Sequence, residues 1–118
     1  IVNRIVAPGL VPVAQQVVPA NNVAANYLQN EIYRNTTNAA LAVQYEVQAT
    51  GTIGNCLGDT RIVVVTINPE PVISTTLDAN RCSDATVGLV LNTNGVSVGA
   101  LNYDIISRTA AGALTPVN

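Results

Sequence analysis

Residues 60–71 read Thr-Arg-Ile-Val-Val-Val-Thr-Ile-Asn-Pro-Glu-Pro, and they decide how the whole chain is interpreted. Five of the first eight are Ile or Val and two more are Thr, a β-branched run that suits one strand and is short for a helix. The strand must end at Asn68, because the prolines that follow lack the N–H that a sheet ladder requires. We therefore predict a stiff connector at Pro69, Glu70 and Pro71, and we place a domain boundary there.

A second strand is predicted immediately before this one, because segment 41–49 alternates between an apolar and a mostly polar face. Residues 51–58 form a loop that contains Cys56, so the two strands are expected to pair as an antiparallel hairpin. The face expected to point into a core consists of Leu41, Val43, Tyr45, Val47 and Ala49.

The remaining segments are also short and separated by turn residues. A helix of at most two turns is predicted over 23–29, and the prolines within 10–19 favour an edge strand or an extended crossing. Strands at intervals of about ten residues are typical of an antiparallel β-sandwich, so the predicted fold class is all-β. The other predicted strands are 1–6, 72–77, 87–91 and 101–106.

The composition limits the possible partners of this chain. Its 118 residues are 48% hydrophobic, which is enough for a folded domain, but only 10% are charged. The five arginines are dispersed and the net charge is -2, so no basic stripe is available for nucleic acid. No apolar run is long enough to span a bilayer, and we expect no membrane insertion.

Catalysis is not expected, because the chain has no His and no Lys to activate a nucleophile. Three of the dispersed carboxylates, Asp59, Asp78 and Asp84, lie near loop ends and could gather around Ca²⁺. Capping of turns is the favoured interpretation, since the chain has no Asp-x-Asp spacing. We therefore predict no enzyme activity, no metal site and no cofactor. The other carboxylates are Glu31, Glu46, Glu70 and Asp104.

Cys56 and Cys82 are the only cysteines, too few for a zinc site in a chain without His. The surface rich in Thr, Asn and Val favours an extracellular protein, in which such cysteines are usually in disulfides. They lie on opposite sides of the proposed boundary, which favours partners other than each other. Asn35 begins the one Asn-x-Thr pattern, a candidate for glycosylation that is more simply explained as a turn.

The four tyrosines are the only aromatic residues of the chain. Exposed together, they would offer a stacking platform for sugars, as in a carbohydrate-binding module. Tyr45 and Tyr103, however, lie on the apolar faces of predicted strands, which favours positions in a core for these two.

Several short motifs occur in a characteristic order: NTTN at 35–38, VQYEV at 43–47, NCLGD at 55–59, VVVTINPEP at 63–71, RCSD at 81–84 and LVLNTNGVSV at 89–98. In this order and spacing the chain resembles the PKD-like, immunoglobulin-like tandem repeats of giant surface adhesins in gliding bacteria of the Bacteroidetes type. The resemblance runs from about residue 22 to residue 107.

The resemblance implies that the chain is one period of an array, cut out of phase from something longer. Residues 1–68 would be the C-terminal half of one β-sandwich module, 69–71 the hinge, and 72–118 the N-terminal half of the next. It also implies that Cys82 pairs with the cysteine at the Cys56 position of a neighbouring copy. The protein would be secreted by the type IX route to the cell surface.

Two classes of function remain open alongside the carbohydrate-binding module. The first is a structural stalk repeat of a long extracellular adhesin or filament, with a role in surface adhesion or gliding. The second is a self-assembling fibre subunit that polymerises by strand exchange, since a chain with two half-modules would expose unpaired strand edges. The expected partners are neighbouring copies of the repeat and surface glycans or the substratum.

Overall fold

The computed structural model describes residues 1–117, and within them the chain forms five strands and no helix. The outer strands β1 and β5 flank β4 and both run antiparallel to it, while β2 and β3 form a separate antiparallel pair. The all-β class is confirmed, and the two sheets are consistent with a β-sandwich. The strands are β1 (Asn3–Val6), β2 (Leu10–Ala14), β3 (Ile32–Asn35), β4 (Leu41–Val47) and β5 (Arg61–Ile67).

The predicted hairpin is confirmed as the pairing of β4 with β5, in a register that runs from Leu41 opposite Ile67 to Val47 opposite Arg61. The predicted faces of β4 are also confirmed. Val43 is fully buried and Tyr45 is 5% exposed, whereas Gln44 between them faces solvent. Ala49 lies beyond the end of β4 and is exposed.

The hydrophobic core is small and belongs entirely to the N-terminal half of the chain. Its buried members are Leu10, Val43 and Tyr45. A chain of this length that formed one complete domain would bury far more apolar side chains than three. The half-buried residues packed around the core are Val6, Ala7, Leu28, Tyr33, Leu41, Val47 and Ile67.

The helix predicted over 23–29 is wrong. Separate turns form there instead, closed by Tyr27 N–H to Ala24 O and by Gln29 N–H to Asn26 O. Two helical turns contain too few hydrogen bonds to offset the cost of nucleation. The short strand β3 that follows was not predicted, because four residues are too few to show an alternating pattern.

The strands predicted over 72–77, 87–91 and 101–106 do not form in this chain, so those predictions are wrong for it. Within residues 72–117 the only ladder contact is an isolated antiparallel bridge between Ile73 and Thr93. A strand requires a neighbouring strand for its backbone groups, and neither sheet of the N-terminal half extends into this region. Many large apolar side chains are consequently exposed, including Val87, Val90, Leu101, Ile105 and Ile106.

Candidate functional site

An open apolar groove of about 470 Å³ lies on the face of the larger sheet that carries the buried Val43 and Tyr45. The strands β4 and β5 line it with Val43, Tyr45, Val63 and Val65, and β3 contributes Tyr33. We call this feature the groove.

The groove is open because the smaller sheet reaches β5 only near its C-terminal end, where the Asn35 side chain donates to Ile67 O, and leaves Val63 and Val65 uncovered. Val43 pairs with Val65 and Tyr45 pairs with Val63, so these four side chains share one face of the larger sheet. On β4 they are buried, whereas Val63 and Val65 on β5 are 47% and 43% exposed. β5 is also an edge strand of the larger sheet, so one side of its backbone is unpaired. Its outer face includes the exposed Val64, and β5 therefore presents unburied apolar surface on both faces.

A buried carboxylate lies beside the groove and ties the two sheets together. The Glu31 side chain is 3% exposed, and its Oε1 accepts hydrogen bonds from Arg4 Nη1 at 2.7 Å and from the Gln16 N–H at 2.9 Å. Its Oε2 accepts from the Tyr33 hydroxyl at 2.9 Å and from the Tyr45 hydroxyl. Because these donors lie on β1, on β3, on β4 and in the segment after β2, one side chain connects both sheets.

The hydrogen bonds fix the charge state of this cluster. Burial alone would raise the pKa of Glu31, but the Tyr45, Gln16 and Tyr33 donors and the Arg4 charge outweigh it and hold the pKa below its ordinary value of 4.5. Burial, followed by the hydrogen bond to the Glu31 carboxylate, raises the pKa of Tyr45 far above its usual range. Glu31 is therefore ionised and Tyr45 protonated at neutral pH, which suits a structural role for the pair.

The connector at Pro69, Glu70 and Pro71 is held from both sides. On the N-terminal side, the Glu70 N–H donates to Asn35 O at 2.8 Å. On the C-terminal side, the Val72 N–H donates to Ser97 Oγ at 2.9 Å, and Ser97 is itself 7% exposed. The predicted hinge residues therefore lie in a junction with specific contacts to both parts of the chain.

A second backbone contact bypasses the connector. The Val98 N–H donates to Thr37 O at 3.2 Å, which joins the C-terminal segment directly to the turn between β3 and β4. The exposed ion pair between Arg34 and Glu70, at 3.7 Å, contributes little because solvent screens it. The backbone contacts are therefore what position the two parts relative to each other.

Asn35 organises the turn on which this junction is built. Its side-chain nitrogen donates to Ala39 O at 2.8 Å and to Ile67 O at 2.9 Å, and its Oδ1 accepts from Thr37 Oγ1 at 2.6 Å. The residue is 2% exposed and both amide hydrogens are used. A glycan on this nitrogen is incompatible with those bonds, so the fold favours the turn interpretation of the Asn-x-Thr pattern.

The two cysteines are both exposed and lie on opposite sides of the connector, and no disulfide joins them within residues 1–117. Their pairing with a neighbouring copy stays a prediction. The aspartates considered for calcium are not brought together, since no group of three His, Cys, Asp or Glu residues in the described part of the chain could hold a metal ion.

The tyrosines are divided between different surroundings. Tyr45 is buried in the core as predicted, while Tyr103 is half-buried and outside the core cluster. Tyr33 and Tyr45 direct their hydroxyls to Glu31, and the Tyr27 hydroxyl donates to Val17 O at 3.0 Å. The hydroxyls of these three rings are thus used in internal contacts.

Sequence reasoning missed three contributors to these sites. Glu31 was only one of several dispersed carboxylates, and its partners Arg4 and Tyr45 lie 27 and 14 positions away. Ser97 carried no signal at all, since a serine in an Asn-Gly-containing loop is ordinary. Tyr33 could have been noticed only if the neighbouring β3 strand had been identified.

No family model matches the chain, and no curated protein and no solved structure is significantly similar to it. In the part of the chain that the structure describes, no helix is long and apolar enough to cross a membrane.

We predict that Glu31 makes the protein sensitive to acid. Its pKa is lower in the folded chain than in the unfolded chain, so below about pH 4.5 the unfolded chain binds a proton that the folded chain does not. The stabilisation is complete above that pH and is lost as the pH falls through the folded pKa. Urea unfolding at about pH 7 and pH 3 should show a larger loss of unfolding free energy for the wild type than for Glu31→Gln.

At neutral pH the same Glu31→Gln variant should be less stable than the wild type by about 3 kcal/mol, because the Arg4 charge loses its buried partner. Glu46→Gln is the matched control, since Glu46 lies on the outer face of the larger sheet and has no ion pair in the described residues. Equal acid sensitivity of the wild type and Glu31→Gln would contradict the assignment.

We predict that Asn35→Asp destabilises the fold by about 2 kcal/mol or more, because a carboxylate cannot donate to Ala39 O and Ile67 O. The control is Asn38→Asp, an equivalent change at an exposed position of the same turn, with an expected effect within about 0.5 kcal/mol. Thermal or urea unfolding measures both. Similar losses for the two variants would show that the turn does not depend on the Asn35 amide.

Proposed function

We propose that this chain is a structural repeat of a long extracellular array, in which successive copies follow one another end to end as the stalk of a surface adhesin or filament. The observation that carries the proposal is the junction around the connector. Its backbone N–H groups at Glu70 and Val72 are both bonded, one to each flanking part of the chain.

A freely jointed linker would differ from this connector in two respects. Its backbone would be solvated rather than bonded to the neighbouring parts, and its composition would be rich in Gly and Ser. Here Pro69 and Pro71 fix two φ angles, and Val98 adds a further bond to Thr37. The chain is also elongated, with extents of 79 × 28 × 20 Å, which suits a spacer.

The module boundaries proposed are 1–68 for the C-terminal half of one immunoglobulin-like or PKD-like sandwich, 69–71 for the hinge, and 72–118 for the N-terminal half of the next. Two observations support them. The core is confined to the first segment and leaves Val63 and Val65 of β5 about half exposed. The second segment carries strand-like apolar patterns but forms no strand in residues 72–117.

Adhesion, gliding, surface display and secretion by the type IX route rest on the family resemblance of the ordered motifs. The same holds for disulfides between the Cys56 and Cys82 positions of neighbouring copies, with which the exposure of both thiols is compatible. Neighbouring repeats are thus the first partners proposed, and surface glycans or the substratum the second.

Arrays of one, two and four copies joined in tandem test the proposal by small-angle X-ray scattering. We expect the maximum dimension to increase by a similar step with each added copy, because the junction holds successive modules in line. A variant with both Pro69→Gly and Pro71→Gly should give a shorter and broader distance distribution, since its connector is no longer restricted. A four-copy particle hardly longer than a single copy would overturn the proposal.

A second candidate, a fibre of separate subunits that exchange strands, is favoured by the open groove. It differs from the first in whether the copies are covalently continuous. The mass of native material under denaturing and reducing conditions separates them. A species many times 12.2 kDa supports the tandem stalk, and a species at 12.2 kDa supports separate subunits.

A further inference from the structure

We infer that the groove binds segment 101–106 from a second copy of this chain, which adds a strand beside β3 and covers β5. This inference rests on the proposed function and names the partner of its open sheet face. It is carried by the free edge of β3, by the uncovered side chains of β5, and by the pattern of the segment that fits between them.

The edge of β3 away from β2 is available for pairing. Asn35 already directs its carbonyl to that side, where Glu70 donates to it. Backbone groups alternate in direction along a strand, so Tyr33, two residues earlier, directs its N–H and C=O the same way. Opposite Tyr33 on β2 lies Pro12, which has no N–H to offer, consistent with this orientation. Within the described residues, the Tyr33 N–H and C=O have no backbone partner on the side away from β2.

Apolar side chains of the added strand would cover the part of β5 that lies open. Val63 and Val65 are about half exposed and face the groove, while the buried Val43 and Tyr45 form its deeper wall. An occupant therefore needs apolar residues at every second position on one face and polar residues on the other. Its backbone would form ladder bonds, as in other cases of strand addition to a sheet edge.

Segment 101–106 has this pattern. Leu101, Tyr103 and Ile105 share one face, and Asn102, Asp104 and Ile106 lie on the other, which is polar except at its last position. The competing segment 87–91 has no polar side chain on its second face, which consists of Gly88 and Val90, and so fits a groove with a solvent-exposed side less well. Segment 72–74 is already engaged, through the bridge from Ile73 to Thr93 and the bonds of Val72 at the junction.

Charge also favours this occupant. Arg34 alternates with Tyr33 along β3, so its guanidinium lies on the face of that sheet away from the groove, where it is 57% exposed. In a strand paired with β3, Asp104 would project to the same face as Arg34. Arg34 already forms an exposed ion pair with Glu70 at 3.7 Å, so Asp104 would add a modest cross-strand attraction that favours this occupant without deciding it.

The occupant must come from a second copy, because segment 101–106 lies away from the groove within one chain. Leu101 is 98% exposed and Ile105 72% exposed, so neither is covered by its own groove. After the bond from Val98 to Thr37, no hydrogen bond within the described residues returns from the C-terminal segment to residues 1–67. Each copy therefore presents both an unfilled groove and an unpaired segment, which allows one copy to complete the next.

Disulfide trapping between two differently labelled chains tests the inference. Both chains carry Cys56→Ser and Cys82→Ser, so that only engineered thiols react. One chain also carries Val63→Cys in the groove, and the other carries Ile105→Cys or Leu101→Cys. After mixing and mild oxidation, we expect a covalent heterodimer, identified by mass spectrometry of the linked peptides.

The matched control is Val64→Cys, the next residue on β5, which is comparably exposed but faces away from the groove. Linking through Val63→Cys should be about tenfold faster than through Val64→Cys, because a disulfide requires Cα atoms within about 7 Å. Equal rates for the two positions would indicate random collision and overturn the inference. We expect no such preferential linking of Val63→Cys to Asn102→Cys, because the Asn102 side chain lies on the polar face of the segment.

A single chain that carries both Val63→Cys and Ile105→Cys tests whether the segment binds the groove of its own chain. If it closes a disulfide within itself at high dilution, the segment occupies its own groove and pairing between copies is wrong. These outcomes are separate from the scattering test, which measures the connector. Tandem arrays that extend without groove-specific linking would leave the stalk proposal standing and reject only this partner.

Discussion

The Glu31 carboxylate is the contact on which the folded half of this chain depends. Within the described residues, three apolar side chains are buried, too few to hold two sheets together by burial alone. Glu31 compensates by accepting four hydrogen bonds from β1, the segment after β2, β3 and β4. Such a network tolerates burial because every donor and acceptor around the charge is matched. The loss of any partner in this network would consequently leave a buried polar group without its hydrogen bond.

The position of this network also explains the shape of the groove. Tyr33 and Tyr45 extend across the space between the sheets to reach Glu31, which ties β3 to β4 but leaves Val63 and Val65 of β5 uncovered. The space between the two sheets is therefore closed on the β1 side, where Arg4 lies, and open on the β5 side. The apolar face of Val63 and Val65 remains accessible for that reason.

Much of the fold follows from local sequence patterns, whereas the sites are formed by contacts between residues that are far apart in the sequence. The β4–β5 hairpin could be predicted because alternation in 41–49 and the β-branched run of 60–67 are properties of consecutive residues. The connector could be located because Pro69 and Pro71 act on the backbone directly. The Glu31 cluster and the contacts of Asn35 and Ser97 at the junction could not be predicted, since they depend on which turns and strands come together. The strands expected after residue 71 were wrong for this chain because pattern alone does not provide a partner strand.

The direction of the strands in the larger sheet has a consequence for a chain under tension. Strands β1 and β5 flank β4 and point the same way, so the chain enters the sheet at the start of β1 and leaves it at the end of β5, on opposite ends. A pull on the two ends would act along the strands and load the β1–β4 and β4–β5 ladders in shear. Their hydrogen bonds would then have to break together rather than one after another, as they do when a hairpin is unzipped.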